Sequence, residues 1–291
     1  MAKVKVMTDS VACIPMELAE KYEIKVIPTA QIYVDSKTYI EGVTLSHADA
    51  YQLIKDDPDR FLTSALAPEY ILEAYKELSA KSRDIVFISI SASLSAISAT
   101  AGIAANSFRE QFPETNIRIV DSKACASTEG LVVLAAARAA AQGKNIDEVV
   151  RVATETRQKA GGLMLLDTLR YVYRTGRMSK TAARLVSLLN IKPINRLTED
   201  GKIEMVTRTR KRSDGLERML NLIGKEVGPE GAHFMVTHAN VPDVAESFAD
   251  QLKERFKWLS MVISYYSPVM GYGAGPGAIF VGFHPELDVL K

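Results

Sequence analysis

The sequence predicts an α/β fold in two parts. An N-terminal parallel-sheet α/β domain spans residues 1–158, and a C-terminal α+β domain with a mixed or antiparallel sheet spans residues 159–291, its last strand free to return to the interdomain region. Three observations carry this. The length of 291 residues suits one large or two medium domains. Up to about residue 158, short β-branched runs alternate with helix-length segments, the pattern of parallel strands joined by crossover helices. After Ala160 hairpin-like pairs and isolated strands replace that alternation.

In order, Val4–Met7 predicts a short strand, and Asp9 or Ser10 caps a helix over Met16–Tyr22, with Pro15 suited to its start. Ile24–Pro28 predicts a second strand and Gln31–Tyr39 a hairpin about Asp35-Ser36. Ser46 caps a helix to Lys55, Asp56–Arg60 is a loop, and Pro68 opens a helix to about Lys81. Ile85–Ile90 has the composition of a buried strand. Ser91, Ser93 and Ser95 follow, and then a helix of small residues, Ala96–Asn106. Ile117–Val120 is a strand ending in Asp121-Ser122, and Leu131–Ala141 and Asp147–Ala160 are helices, the second capped from the Gly143-Lys144-Asn145 turn. In the second half, strands are expected at Gly161–Leu166, Lys192–Ile194, Lys202–Val206, His233–His238, Met261–Tyr266 and Ala278–Phe283. Helices are expected at Thr168–Tyr173, Thr181–Leu189, Ser213–Glu226 and Val241–Phe256, and Gly271–Gly277 is a glycine-rich loop.

A buried strand running into hydroxyl-rich residues and then a helix is an anion-binding layout, because a helix N-terminus presents unpaired N–H groups and a positive dipole end. The alternative is that these serines only cap the helix. In parallel sheets, sites lie beyond the C-terminal strand ends. Thr8-Asp9-Ser10, Ser91–Ser95 and Asp121-Ser122 all fall there and converge on one side of the sheet.

The chain is 47% hydrophobic and 24% charged with a net charge of +1, which gives no support for nucleic-acid binding. The N-terminus lacks a signal-peptide core, and no apolar run approaches the roughly 20 residues of a membrane span. Cys13 and Cys125 are far apart, so both are expected unpaired in a reducing cytoplasm. His47, His233, His238 and His284 are scattered, with no metal-ligand spacing, P-loop or nucleophile elbow, so neither metal nor cofactor is expected.

Seven ordered pieces give a more specific reading: Thr8-Asp9-Ser10; Thr63-Ser64; Ile88–Ser91 with Leu94-Ser95; Val120–Lys123 with Ser127 and Gly130; Leu169–Ser179; Lys192-Pro193; and Gly275–Gly277. Together they resemble the DegV family of bacterial lipid-binding proteins. The resemblance implies a non-enzymatic two-domain protein that binds a long-chain fatty acid in an interdomain tunnel. In several members it also implies presentation of the acid to a separate ATP-dependent fatty acid kinase. The chain departs from the family pattern at Gly273 and Ala274, where histidine and threonine are usual, and at Ala92 and Ala96, where serine and glycine are common. The lost histidine bears on kinase partnership more than on lipid binding.

A fatty carboxylate, with a pKa near 4.3 by analogy with Glu, is ionised at neutral pH and needs donors when buried. The expected carboxylate site is Thr63, Ser64, Ser91, Ala92, Ser93 and Gly273. Arg177 is either a head-group or partner contact or an ordinary surface arginine, and Asp9 and Asp121 are expected to cap and organise loops. Ile27, Leu163, Leu165, Leu188 and Ile191 are candidates for the tail lining. The basic run Arg208, Arg210, Lys211 and Arg212 is either a solvated face or a transient contact with an acidic partner or anionic membrane surface. Two other classes compete: a serine-dependent hydrolase of lipid esters, which lacks a suggestive histidine, and a regulatory protein binding through the basic run.

Overall fold

A computed structural model describes residues 3–177 and 191–287. The first sheet, in the order β2-β1-β6-β7, is parallel throughout: β1 is Val4–Asp9, β2 Lys25–Ile27, β6 Asp84–Ser89 and β7 Asn116–Asp121. Its strands alternate with α1 (Met16–Lys21), α3 (Pro68–Ser79), α4 (Ile97–Gln111), α5 (Ala126–Ala141) and α6 (Ile146–Lys159). Asn145 and Glu148 form a reciprocal capping box that starts α6 where the Gly143–Asn145 turn suggests it.

Between β2 and α3 the chain builds a separate three-stranded antiparallel sheet, β4-β3-β5, from β3 (Ala30–Val34), β4 (Lys37–Ile40) and β5 (Phe61–Ala65), with α2 (His47–Asp56) packed on it. The β3–β4 hairpin turns at Asp35, which takes a left-handed φ of 54°, as the polar pair at 35–36 leads one to expect. The sequence reading did not anticipate β5. The core of this small sheet also takes in residues from the far end of the chain: Phe61 stacks on Tyr272 with ring centroids 4.9 Å apart.

The second sheet has six strands in the order β10-β9-β8-β13-β11-β12. They are β8 (Gly161–Leu165), β9 (Lys192–Leu197), β10 (Ile203–Thr209), β11 (Ala232–His238), β12 (Trp258–Tyr265) and β13 (Ile279–His284). Only β11 and β12 pair in parallel, so the sheet is mixed. Helices α7 (Arg170–Thr175), α8 (Arg212–Ile223), α9 (Pro242–Arg255) and α10 (Pro268–Ala274) complete the half. The expected helix over Thr181–Leu189 lies outside the described residues.

Helix α5 joins the halves. Nearly all its side chains are buried, because it packs on β1 on one side and on β11 and β13 on the other. Gly282 permits that approach, since a Cβ there would meet the Ser127 and Thr128 backbone at 2.7 Å. One continuous core holds Met7, Phe87 and Ile90 from the first half with Met164, Leu166, Met235 and Phe280 from the second.

Candidate functional site

A cavity of about 200 Å³ opens where the C-terminal end of β6 meets the small sheet, α7, α10 and the second large sheet. Its apolar wall includes Val11, Ile90, Met164, Ile203 and Met270. The wall is a product of strand periodicity. Met164 faces the core shared by both halves, whereas Leu163 and Leu165 point to the opposite side of β8, into the core beneath α8 and α9. Of the apolar residues considered for the tail, Leu163 and Leu165 are thus turned away, and their neighbour Met164 lines the space. Ile27 is buried in the shared core without lining the cavity, Ile191 packs against that core, and Leu188 lies outside the described residues.

Hydroxyls and one guanidinium supply the polar part of the wall. Thr63 and Ser64 reach it from β5, an edge strand of the small sheet. Ser64 Oγ donates to Tyr33 Oη at 3.2 Å. Arg177 is the only charged residue in the lining among the described residues. Its Nε donates to the Leu94 carbonyl at 3.3 Å and a terminal nitrogen donates to the Thr175 carbonyl, so it bridges the end of α7 to the approach to α4. Gly273 and Thr175 face each other across a gap, with the Thr175 methyl 4.0 Å from where a Gly273 Cβ would stand. The Cys125 thiol also lines the cavity, and burial pushes its pKa up, so it stays a neutral, weakly polar surface.

Ser91, Ala92 and Ser93 do not line the cavity. Ser91 is fully buried, and its Oγ accepts from the Ser93 N–H at 3.2 Å. Ala92 N–H donates to Asp121 Oδ1 at 3.1 Å, and Ser93 Oγ donates to the Asp200 carbonyl at 2.9 Å. Ser91 and Ser93 seat the β9–β10 turn, whose Gly201 lies directly over Ser91. Leu94, Ser95 and Ala96, just beyond them, are the members of this stretch that reach the cavity. Helix α4 begins at Ile97, whose N–H donates to Ser95 Oγ at 3.3 Å, so of the serines Ser95 alone meets a free N–H at the helix start, while Ser91 and Ser93 bond elsewhere.

The floor of the site is organised by carboxylates. Asp9 is fully buried at the end of β1. It accepts from Val11 N–H (3.0 Å), Thr29 Oγ1 (2.8 Å) and Ile90 N–H (2.8 Å), tying together three segments that contribute to the lining. Burial raises its pKa to about 6 against those bonds, which pull it down. Glu41 bonds Ser10 Oγ and accepts from Val269 N–H at 2.8 Å, anchoring the start of α10 to the first half of the chain.

Helix α10 is the larger omission of the sequence reading, which made 271–277 a loop. Ser267 caps it, accepting from Met270 N–H, and Pro268 occupies its first turn. That Ser-Pro pair is the signal that would have found it. The helix stops at Gly275, whose φ of 83° and ψ of 156° suit glycine alone. Tyr272 is stacked on Phe61, with the Arg174 guanidinium 5.1 Å from its ring centroid. Gly273 lies inside α10 and is absent from the glycines with positive φ.

None of the four histidines lines the cavity. Among the described residues no group of three or more His, Cys, Asp or Glu side chains is placed to hold a metal ion, and no helix is long and apolar enough to cross a membrane. Of the basic run, Arg212 is paired with Asp167 at 2.7 Å.

The DegV family model matches residues 3–286. The chain belongs to the DegV family. A DegV domain-containing protein of Listeria monocytogenes is 30% identical over 278 residues, covering 95% of this chain and 96% of its own. Among solved structures, a DegV family protein from Thermus thermophilus, described as fatty-acid-binding, superposes with a TM-score of 0.88 at 21% identity, covering 98% of this chain and all of its own. The Streptococcus pneumoniae fatty acid kinase (Fak) B3 protein, loaded with linoleic acid, gives 0.85 at 20% identity with the same coverage. These likenesses show that the DegV fold extends along the chain.

Proposed function

We propose that this DegV protein binds one long-chain fatty acid in the cavity between its N-terminal unit, residues 1–158, and its C-terminal unit, residues 159–291. The carrying observation is the cavity itself: an apolar wall of Val11, Ile90, Met164, Ile203 and Met270 with Thr63, Ser64, Ser95 and Arg177 as donors. The acyl chain supplies most of the affinity, at roughly 0.8 kcal/mol per buried CH2. The donors hold and orient the carboxylate. Acid-binding neighbours of the same fold support this reading.

The likeness to the Fak B3 protein supports a further step, presentation of the acid to a separate ATP-dependent kinase. Gly273 leaves the wall without an imidazole at that position, so the chain serves such a kinase weakly or in an altered way while still binding lipid. In this reading the protein is a carrier and supplies no catalytic group of its own.

Extraction of the protein purified from bacteria, followed by mass spectrometry, should find about one long-chain fatty acid per chain. Delipidated protein that stays folded yet shows no fatty-acid binding by calorimetry overturns the proposal.

A further inference from the structure

The six-stranded sheet ends on β12, which among the described residues is the longest edge strand without charge or proline. An open edge presents a row of unpaired N–H and C=O groups, and natural edges are blunted by shortness, charge, proline or bulges. Strand β2 has three residues and β4 four, with Lys37 at its start; β5, also uncharged, has five, three of which line the cavity. Strand β7 carries Arg118. Strand β10, at the other end of the same sheet, carries Glu204 and Arg208 and is bulged between Met205 and Thr207. Strand β12, Trp258-Leu-Ser-Met-Val-Ile-Ser-Tyr265, is eight residues long with neither charge nor proline. Its one irregularity falls at its start, and Ser260 to Tyr265 pair with β11 in unbroken register. Trp258 and Tyr265 are 48% and 57% exposed, and Leu259 to Ile263 are all partly exposed.

We infer that β12 is a homodimer interface, pairing antiparallel with β12 of a second copy across a two-fold axis perpendicular to the sheet. Backbone donors and acceptors in a row are met by another strand, and the absence of charge along β12 removes any electrostatic selection for a charged peptide. The net charge of +1 sets no repulsion between copies. Antiparallel pairing about a two-fold satisfies both edges at once and closes the assembly, giving a continuous twelve-stranded sheet with no β12 edge left over. Directly opposed residues must face the same side of the sheet, so the axis passes through Met261 or Val262. In the Val262 register Tyr265 stands opposite Leu259 of the second copy, and in the Met261 register opposite its Lys257. Lysine at positions 259 and 265 therefore sets like charges against each other in either register.

The test is sedimentation velocity of the full chain over a concentration series, with hydrogen exchange measured at the lowest and highest concentrations. The expected result is a twofold rise in mass that stops at two chains, with exchange slowing within residues 259–264. The double variant L259K/Y265K, with an unchanged melting temperature, should remain one chain throughout. A single-chain mass at every concentration, growth beyond two chains, or a dimer that survives in the folded double variant overturns the inference. Should the variant fold poorly, the wild-type exchange decides: concentration-dependent protection within 259–264 supports the interface, and its absence overturns it.

Discussion

The Ser93 hydroxyl donates to the Asp200 carbonyl at 2.9 Å, although 107 residues separate the two. Arg157 reinforces this contact, donating to the Thr198 carbonyl at 2.7 Å and to the Lys123 carbonyl at 3.0 Å. Ser91 and Ser93 therefore form a seat for the β9–β10 turn, while Ser95 faces the cavity. Ser93→Ala should lower unfolding free energy by about 0.5–1.5 kcal/mol while leaving fatty-acid affinity within a factor of about two. Urea denaturation and calorimetry separate the two effects. A large loss of affinity at unchanged stability would return this serine to the ligand.

The donors on β5 should behave in the opposite way. Ser64→Ala and Thr63→Val remove hydroxyls that line the cavity. Each should weaken fatty-acid binding by about 0.5–1.5 kcal/mol, or up to about 3 where the charged hydrogen bond is well buried. Titration calorimetry on delipidated protein checks this, and unchanged affinity in both variants would place the carboxylate elsewhere.

Neighbouring residues of β8 offer a sharper comparison. Leu163→Ala empties space in the core under α8 and α9 and should cost about 2–5 kcal/mol of stability without changing which acids bind. Met164→Ala should also destabilise, but it enlarges the cavity wall and shifts preference between acyl chain lengths. Competition among fatty acids of graded length provides the measurement. Equal preference profiles for the two variants would remove Met164 from the tail site.

Gly273→His should fold. The position is helical, its φ is not positive, and the nearest atom to a new Cβ is the Thr175 methyl at 4.0 Å. With melting temperatures matched, this substitution should raise kinase-dependent acyl-phosphate formation. Wild-type protein that supports phosphorylation as fast as a histidine-bearing DegV relative would contradict the reading of this position.

Asp9 gives a pH signature. Its folded-state pKa of about 6 lies above the ordinary 3.8, so between those values the folded protein binds more protons than the unfolded chain. Stability attributable to this group therefore rises as pH falls from about 6 towards 4. Spread over that interval of roughly two pH units, the effect is on the order of 3 kcal/mol. Asp9→Asn cannot titrate, and its amide places a donor among three donors, so it should be less stable overall. The wild-type advantage over the variant should widen on acidification in paired urea titrations, and a flat difference would show that burial does not hold the carboxyl up.

By itself the sequence determined the alternation of parallel strands and helices up to residue 159, the capping of α2 by Ser46 and of α6 by Asn145, and the convergence of the Asp9, Ser91 and Asp121 turns. These depend on local periodicity and on side chains bonding backbone a few residues away, both of which a linear reading can follow. Tertiary structure decided the site. Strand β5 exists because Phe61–Ala65 finds β3 to pair with, and α10 because Tyr51, Tyr171 and Phe61 pack around a segment whose glycines disfavour a helix in isolation. Whether Ser93 meets a ligand or Asp200, and whether Leu163 or Met164 meets the cavity, turns on which distant element docks against each strand face. That contact is made across more than a hundred residues in the case of Ser93, and no local pattern encodes it.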